Sequence, residues 1–231
     1  MKIAIIIQGP CTNIFEQIKT WYPLVNQTIC KDITIVPIFS TWKGSEHFFH
    51  VNDICICSDP PEPSYQNFKH QLVSTYKGLE KAKELDCTHA LKIRSDLIPT
   101  NPKDFIKMIA NENINMLAYA NHSYHYYIDY VMSGPIDFMI QLWGMQEYEY
   151  KDIENQPAEV KLSRQIYKIL HKDRLFDLQI HLFLDKLDNE NDLYWIKNNV
   201  HLSEYQAKRK SRDHWGYTAG DHDFIPYYSR F

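Results

Sequence analysis

The sequence predicts a single-domain α/β fold in which a mostly parallel sheet is flanked by helices, and three observations carry that expectation. Residues 3–7 are a short, β-branched, unbroken apolar run that stops at Gln8-Gly9-Pro10. A strand buried on both faces, as in a parallel sheet, reads this way. Strand-like and helix-like stretches then alternate as far as Ala120, the order that builds βαβ units. Finally, the run at 88–93 leads into Arg94-Ser95-Asp96, charged groups at a strand end, where open α/β sheets place their ligands.

Each element follows from local pattern. Asn13 with Glu16 three residues on resembles a capping box, and Ile14, Ile18, Trp21, Tyr22 and Val25 recur at helical spacing until Pro23 kinks or ends the helix. Strands are expected at 33–41 and 53–57, although Pro37 inside the first implies a bulge, an edge or a shorter strand. Over 66–85 the period is helical, with Phe68, Leu72, Tyr76 and Leu79 on one stripe. Asn67, Gln71, Ser74, Thr75 and Gly78 occupy a neighbouring small-polar sector, read either as a partly exposed flank or as one wall of a polar ligand site. Asn101-Pro102 suggests a further helix start, 114–120 another strand, and later helices are expected after Pro135, after Pro157 and around 175–187, with a polar stretch at 147–156.

Composition narrows the function. The 231 residues, 44% hydrophobic and 14% aromatic, suit one sizeable core and are too few for two comfortable domains. A formal net charge of −4 lacks the basic balance of nucleic-acid binders, so no nucleic-acid partner is expected. The opening apolar run is shorter than a signal-peptide core or a membrane span, which suggests a cytoplasmic protein. Cys11, Cys30, Cys55, Cys57 and Cys87 form an odd set without CxxC spacing. Packing thiols are expected rather than a disulfide framework or a metal finger, with Cys55 and Cys57 on one strand face.

Four ordered pieces carry a family likeness: Ile7-Gln8-Gly9-Pro10; Phe39-Ser40-Thr41-Trp42; Ser58-Asp59-Pro60; and Asn67 through Gln71, Ser74, Thr75 and Gly78 to Lys92-Ile93-Arg94-Ser95-Asp96-Leu97. In this order, over roughly the first 100 residues, the chain resembles the WavE-type lipopolysaccharide-synthesis proteins and, more broadly, GT-A glycosyltransferases. The resemblance implies a GT-A-like nucleotide-diphospho-sugar transferase fold. Residues 1–100 would form the donor half of the single domain 1–231, and residues 101–231 the acceptor half with C-terminal helices. It also implies a nucleotide-sugar donor, expected to be a UDP-sugar, and a saccharide or glycolipid acceptor in surface glycan synthesis.

The chemistry starts from the leaving diphosphate, which gathers negative charge as the sugar departs and needs a positive partner. In the GT-A group that partner is usually Mn²⁺ or Mg²⁺ held by an Asp-x-Asp element, because hard cations take carboxylate and phosphate oxygens. Here the element reads Arg94-Ser95-Asp96: Asp96 keeps the second acidic position, and Arg94 stands at the first, where it contacts a phosphate or orients Asp96. An ordinary arginine–aspartate pair at a strand end is the plainer reading. From the resemblance, Gln8, Gly9, Pro10, Thr41, Trp42, Asp59, Asn67, Gln71, Thr75, Arg94 and Ser95 are assigned to the donor. Glycine at position 9 permits close backbone approach, whereas a plain turn would explain it equally.

The second half bears a looser likeness. Asp129 to Pro135 looks like the acceptor-side strand and turn, with the turn at Ser133-Gly134. Glu159, after Pro157, falls where such enzymes place an acidic residue near the acceptor hydroxyl, with Asp129 and Asp137 as rivals; an acid favoured by the helix dipole is the alternative. Some members complete the metal shell with a late histidine, a role implied for His222 or its neighbour His214. Lys208, Arg209, Lys210 and Arg212 form a solvated face or a patch for peripheral contact with an anionic membrane or the acceptor.

Two other classes compete. A nucleotidyltransferase on a related fold would carry a basic, glycine-rich phosphate loop after the first strand, and residues 8–13 contain neither lysine nor arginine. A non-catalytic sugar-nucleotide or glycan-binding module remains compatible with arginine at position 94.

Overall fold

The computed structural model describes residues 1–25, 33–99, 102–103, 106, 114–120, 125–156, 158–170, 200–202 and 207–209. Its centre is a sheet built from β1 (Lys2–Gln8), β2 (Thr34–Trp42), β3 (Cys55–Ser58), β4 (His89–Arg94), β6 (Ile114–Ala120), β7 (His125–Pro135) and β8 (Val200–Leu202). Among the described residues these seven strands run in the order β3-β2-β1-β4-β7-β6-β8. β1, β2, β3 and β4 are mutually parallel, whereas β7 is antiparallel to β4 and to β6, and β8 is parallel to β6. The mostly parallel, helix-flanked sheet predicted from sequence is therefore the architecture present. A separate pair joins β5 (Leu97–Pro99) to β9 (Ala207–Arg209).

β1 explains why an unbroken apolar run was needed. Successive side chains point to opposite faces, and both faces are covered. Ala4 and Ile6 enter one core with Phe68, Leu72 and Leu79 of α2 (Phe68–Glu84), while Ile3, Ile5 and Ile7 enter another with Ile14, Trp21 and Leu24 of α1 (Ile14–Val25). Residues Ile3 to Ile7 are at most 2% exposed, and each buried isoleucine contributes roughly 1.5–3 kcal/mol. On the α2 side the first core continues into α3 (Ile136–Trp143) and α4 (Ala158–Leu170).

Pro37 lies within β2, inside the sheet, opposite Ile5 of β1. The ladder explains how it is accommodated. β3 pairs only from Phe39 onward, and the Phe39 N–H points to the β3 side, where it donates to Ile54 O. In a parallel strand position 37 faces the same way, below the start of β3, so at Pro37 the strand is locally an edge and no ladder donor is missing. Pro23 is likewise accommodated, inside α1, which runs on to Val25.

Three expectations change. The small-polar sector of α2 is not an exposed flank: Ser74, Thr75 and Gly78 are buried against the sheet. A Cβ on Gly78 would sit 2.6 Å from Ile6 Cγ2, so only glycine lets the helix come this close. Ser133-Gly134 is not a turn but part of β7, paired with Leu91 and Ala90 of β4, because the ladder overrides the local turn signal. The polar stretch at 147–156 holds two short 3-10 turns, Glu147–Glu149 and Lys151–Ile153. The helix expected around 175–187 lies outside the described residues.

Candidate functional site

Because β1 to β4 are parallel, Gln8, Trp42, Ser58 and Arg94 all lie on one edge of the sheet. The chain leaves β1 toward β2 and β3, then returns to β4 on the other side of β1, so a topological switch point opens between the C-terminal ends of β1 and β4. Gln8, Gly9, Pro10, Arg94, Ser95 and Asp96 meet there. Gly9 has φ of 122°, a conformation side chains rarely adopt, and its N–H donates to Ser40 O at 3.1 Å. Opposite, Ser95 N donates to Gln8 O at 2.8 Å and Ser95 Oγ to Pro10 O at 2.8 Å. A Cβ at Gly9 would meet Ser95 Oγ at 2.8 Å.

Arg94 and Asp96 form a two-pronged pair, Nε to Oδ1 at 2.9 Å and Nη2 to Oδ2 at 2.8 Å. Both are largely shielded, with side chains 23% and 20% exposed, so the pair is stronger than a surface ion pair. One rung back on the same face, Lys92 is fully buried with Nζ 4.8 Å from the Trp143 ring. The registers place Gln8 between Ser40 and Arg94 in one cross-strand row facing α2. Ser40 Oγ donates to Ser74 O at 2.6 Å. Toward this row the side chains of Gln8 and Thr75 are buried, and Gln8 Oε1, Gln71 Oε1 and Thr75 Oγ1 have no hydrogen-bond partner among the described residues. Buried polar atoms without partners are costly, and three on facing elements make this crevice suited to a polar ligand.

The other donor candidates lie outside this row. Thr41 is buried on the opposite face, where Cys11 Sγ lies 3.3 Å from its Oγ1. Trp42 packs edge-on against His70 in the first turn of α2, with ring centroids 5.1 Å apart. Asp59, at the end of β3, is exposed and paired with Lys43 at 2.6 Å. Asn67 precedes α2 with φ of 57° and is exposed. Nearby, burial and the contact with Cys57, 3.4 Å away, push the Cys55 thiol far above its ordinary 9.0, as fits a packing thiol.

Sequence reasoning missed Gln17. It is fully buried, and its Nε2 donates to Ser95 O at 3.0 Å and Leu97 O at 2.7 Å, while its Oε1 accepts from Trp21 Nε1 at 2.8 Å. It thereby fixes the backbone on either side of Asp96. The available signal was a polar residue between Ile14 and Trp21 on the apolar stripe of α1.

No family model and no curated protein matches the chain. Among solved structures it is similar to the galactosyltransferase LgtC, determined with donor and acceptor sugar analogs, at 10% identity over 88% of this chain and 73% of that one, TM-score 0.42. It is also similar to a Desulfovibrio desulfuricans G20 protein assigned as a nucleotide-diphospho-sugar transferase, at 9% identity over 87% of this chain and 98% of that one, TM-score 0.38. Likeness at this level carries no functional argument, so the reading below rests on the chain's own residues.

In the second half of the chain, Lys161 anchors the start of α4. Its Nζ donates to Glu154 O at 2.7 Å and lies 4.7 Å from the Phe68 ring, with Tyr65 and Tyr150 around it. Burial pulls its pKa below the ordinary lysine value. The first turn of α4, which carries Glu159, therefore sits beside the first turn of α2, at the same edge as Asp96. Asp137 pairs with Lys83 at 2.8 Å, at the far end of α2. Ser133-Gly134 also lies away from the site edge, beside the first half of β4. His214 and His222 lie outside the described residues, as do Lys210 and Arg212. Lys208 and Arg209 fall on β9, where the backbone of Arg209 pairs with Leu97, next to Asp96.

Proposed function

We propose that this protein is a glycosyltransferase that moves a sugar from a nucleotide-diphosphate donor, expected to be a UDP-sugar, to a saccharide or lipid-linked acceptor in surface glycan synthesis, in the manner of the WavE-type group. The observation that carries the reading is the joining of Gly9 and Ser95 across the β1/β4 switch point, with the Arg94–Asp96 pair beside them. The donor nucleotide lies along this edge. Gly9 permits close backbone approach, the polar atoms of Gln8, Gln71 and Thr75 satisfy the nucleoside, and Trp42 and Asp59 line the rim. Asp96 holds the Arg94 guanidinium toward the diphosphate, where negative charge develops as the sugar leaves. Residues 1–100 serve the donor and the remainder the acceptor, with Glu159 taking the proton of the attacking hydroxyl if configuration is inverted.

Of the residues named for the divalent ion implied by the GT-A resemblance, Asp96 accepts a hydrogen bond from Arg94 at each oxygen and His222 lies outside the described residues, among which no group of three or more His, Cys, Asp or Glu side chains is arranged to bind a metal. No step here is routed through one.

The test is a panel of nucleotide sugars scored for release of the free nucleotide, with Asp96→Ala as control. An enzyme releases nucleotide from one donor class and loses this in the variant. A binding module is stabilised thermally by a donor without releasing anything. A chain indifferent to every donor in both assays is not a sugar-nucleotide protein.

A further inference from the structure

We infer that the turns bearing Tyr65 and Tyr148 form the acceptor subsite, and that the ligand they take is the ring of a neutral saccharide. The inference rests on the transferase reading above and deepens it. Its first support is placement. Tyr65 lies on the 3-10 turn Tyr65–Asn67 that leads into α2, and the first turn of α2 meets Trp42, at the end of β2, through His70. Tyr148 lies on the turn Glu147–Glu149, which is fastened to the same end of α2. Glu147 pairs there with Lys69 at 3.5 Å, and Tyr150 packs edge-on against Phe68 with ring centroids 5.3 Å apart. Both tyrosines therefore stand at the site edge of the sheet, 43% and 78% exposed.

The second support is what lies beneath them. Lys161 is buried, and its Nζ donates to Glu154 O at 2.7 Å and lies 4.7, 5.8 and 5.9 Å from the ring centroids of Phe68, Tyr65 and Tyr150. Withdrawing an ammonium from water is costly, and an apolar side chain would fill the same space without that cost. What the ammonium adds is direction: one charge ties the turn before α2, the segment 147–154 and the first turn of α4 into a single relative position. The turn under Tyr148 is fixed again by the reciprocal bonding of Gln146 and Glu149. Exposed apolar side chains scattered singly need no explanation, but two rings held in place over a buried charge are preorganised for a ligand. The third support is chemistry. An aromatic face carries negative charge density and attracts the C–H face of a pyranose ring, while carboxylates accept the protons of its hydroxyls. Tyr148 stands between Glu147 and Glu149, which suits an uncharged polyol. An anionic lipid surface would have to bring its phosphates against the same carboxylates.

The experiment is fluorine NMR of the full chain carrying fluorotyrosine, with the two resonances assigned through Tyr65→Phe and Tyr148→Phe. Lactose, maltose and diacetylchitobiose are titrated in turn, and vesicles of phosphatidylcholine with phosphatidylglycerol serve as the competing surface. At least one disaccharide should shift both resonances saturably, with a dissociation constant on the order of millimolar, and the vesicles should shift neither. Tyr65→Ala, followed at Tyr148, and Tyr148→Ala, followed at Tyr65, should each weaken that binding by about fivefold or more. Lys161→Met, which keeps the buried length and loses the ammonium, should weaken it comparably. A melting curve checks that each variant folds, and if Lys161→Met does not, the tyrosine variants decide alone. In parallel calorimetric titrations with UDP, GDP and ADP, the tyrosine variants should match the wild-type dissociation constant for the nucleotide that binds within about twofold. Resonances silent to every saccharide while a nucleotide still binds, or resonances that answer the vesicles and not the saccharides, would overturn the inference and leave the donor reading standing. A saccharide response without binding by any of the three nucleotides would overturn the donor reading and leave the saccharide face.

Discussion

Replacing Gly9 by alanine probes the centre of the site through stability alone. Gly9 has φ of 122°, and an alanine held there is strained by roughly 1–3 kcal/mol. The new Cβ would also lie 2.8 Å from Ser95 Oγ, closer than real contacts allow, so Ser95 must rotate and give up its bond to Pro10 O. That bond contributes about 1 kcal/mol, which brings the loss to roughly 2–4 kcal/mol. For a chain of this size the melting temperature should fall by roughly 4–16 °C. Ser95→Ala isolates the contact, since the Ser95 Cβ at 3.8 Å and N at 4.0 Å are at ordinary contact distance from the new methyl. In a double-mutant cycle by urea denaturation the two single losses should exceed the double by about 1 kcal/mol, because each single variant forfeits the same hydrogen bond. Gly9→Ala with wild-type stability, or strict additivity with Ser95→Ala, would refute this account of how β1 meets β4.

Gly78→Ala should destabilise by about 1–3 kcal/mol in chemical denaturation despite the better helix propensity of alanine, because its Cβ would lie 2.6 Å from Ile6 Cγ2. Asp96→Asn should lower transfer by about 10²-fold or more while the fold persists; near-normal turnover would remove Asp96 from the mechanism. Glu159→Gln should leave donor affinity intact and reduce the transfer rate by about 10²-fold, and an unchanged rate would point to Asp129 instead. Burial holds the Cys55, Cys57 and Cys87 thiols above their ordinary 9.0. Their contribution is complete below pH 9.0 and is lost as pH rises toward the folded values. Urea midpoints measured under reducing conditions should therefore fall above that pH, and less so in Cys55→Ala. A flat profile would contradict it.

How much of this was legible in sequence depends on whether local pattern or distant pairing decides each element. β1 was legible because burial on both faces demands an unbroken apolar run, and β4 because residues 88–93 lead into charged groups as a strand end does. Arg94-Ser95-Asp96 was legible because charge at the end of such a run has nowhere to go but the sheet edge. The stripe of Phe68, Leu72 and Leu79 gave the orientation of α2. Ser133-Gly134 misled, since small residues before a proline signal a turn locally, yet their partners in β4 lie far away along the chain. Pro37 was readable only in part: its edge character depends on where β3 begins. Gln17 escaped because a periodic pattern treats a polar residue on a buried face as noise, whereas its partners, the carbonyls of Ser95 and Leu97, are set by tertiary packing. Glu159 was reached through the resemblance, and Lys161, which seats its helix, has no local signal, because the Phe68 ring beside it lies far away along the chain.

The most direct test of the central claim is a crystal structure of the chain with the nucleotide sugar that raises its melting temperature most. The nucleotide should lie along the edge formed by the ends of β1, β2 and β4, its diphosphate within hydrogen-bond reach of the Arg94 guanidinium and close to the Gly9 backbone. A nucleotide sugar bound elsewhere, with the Arg94–Asp96 crevice untouched, would contradict it.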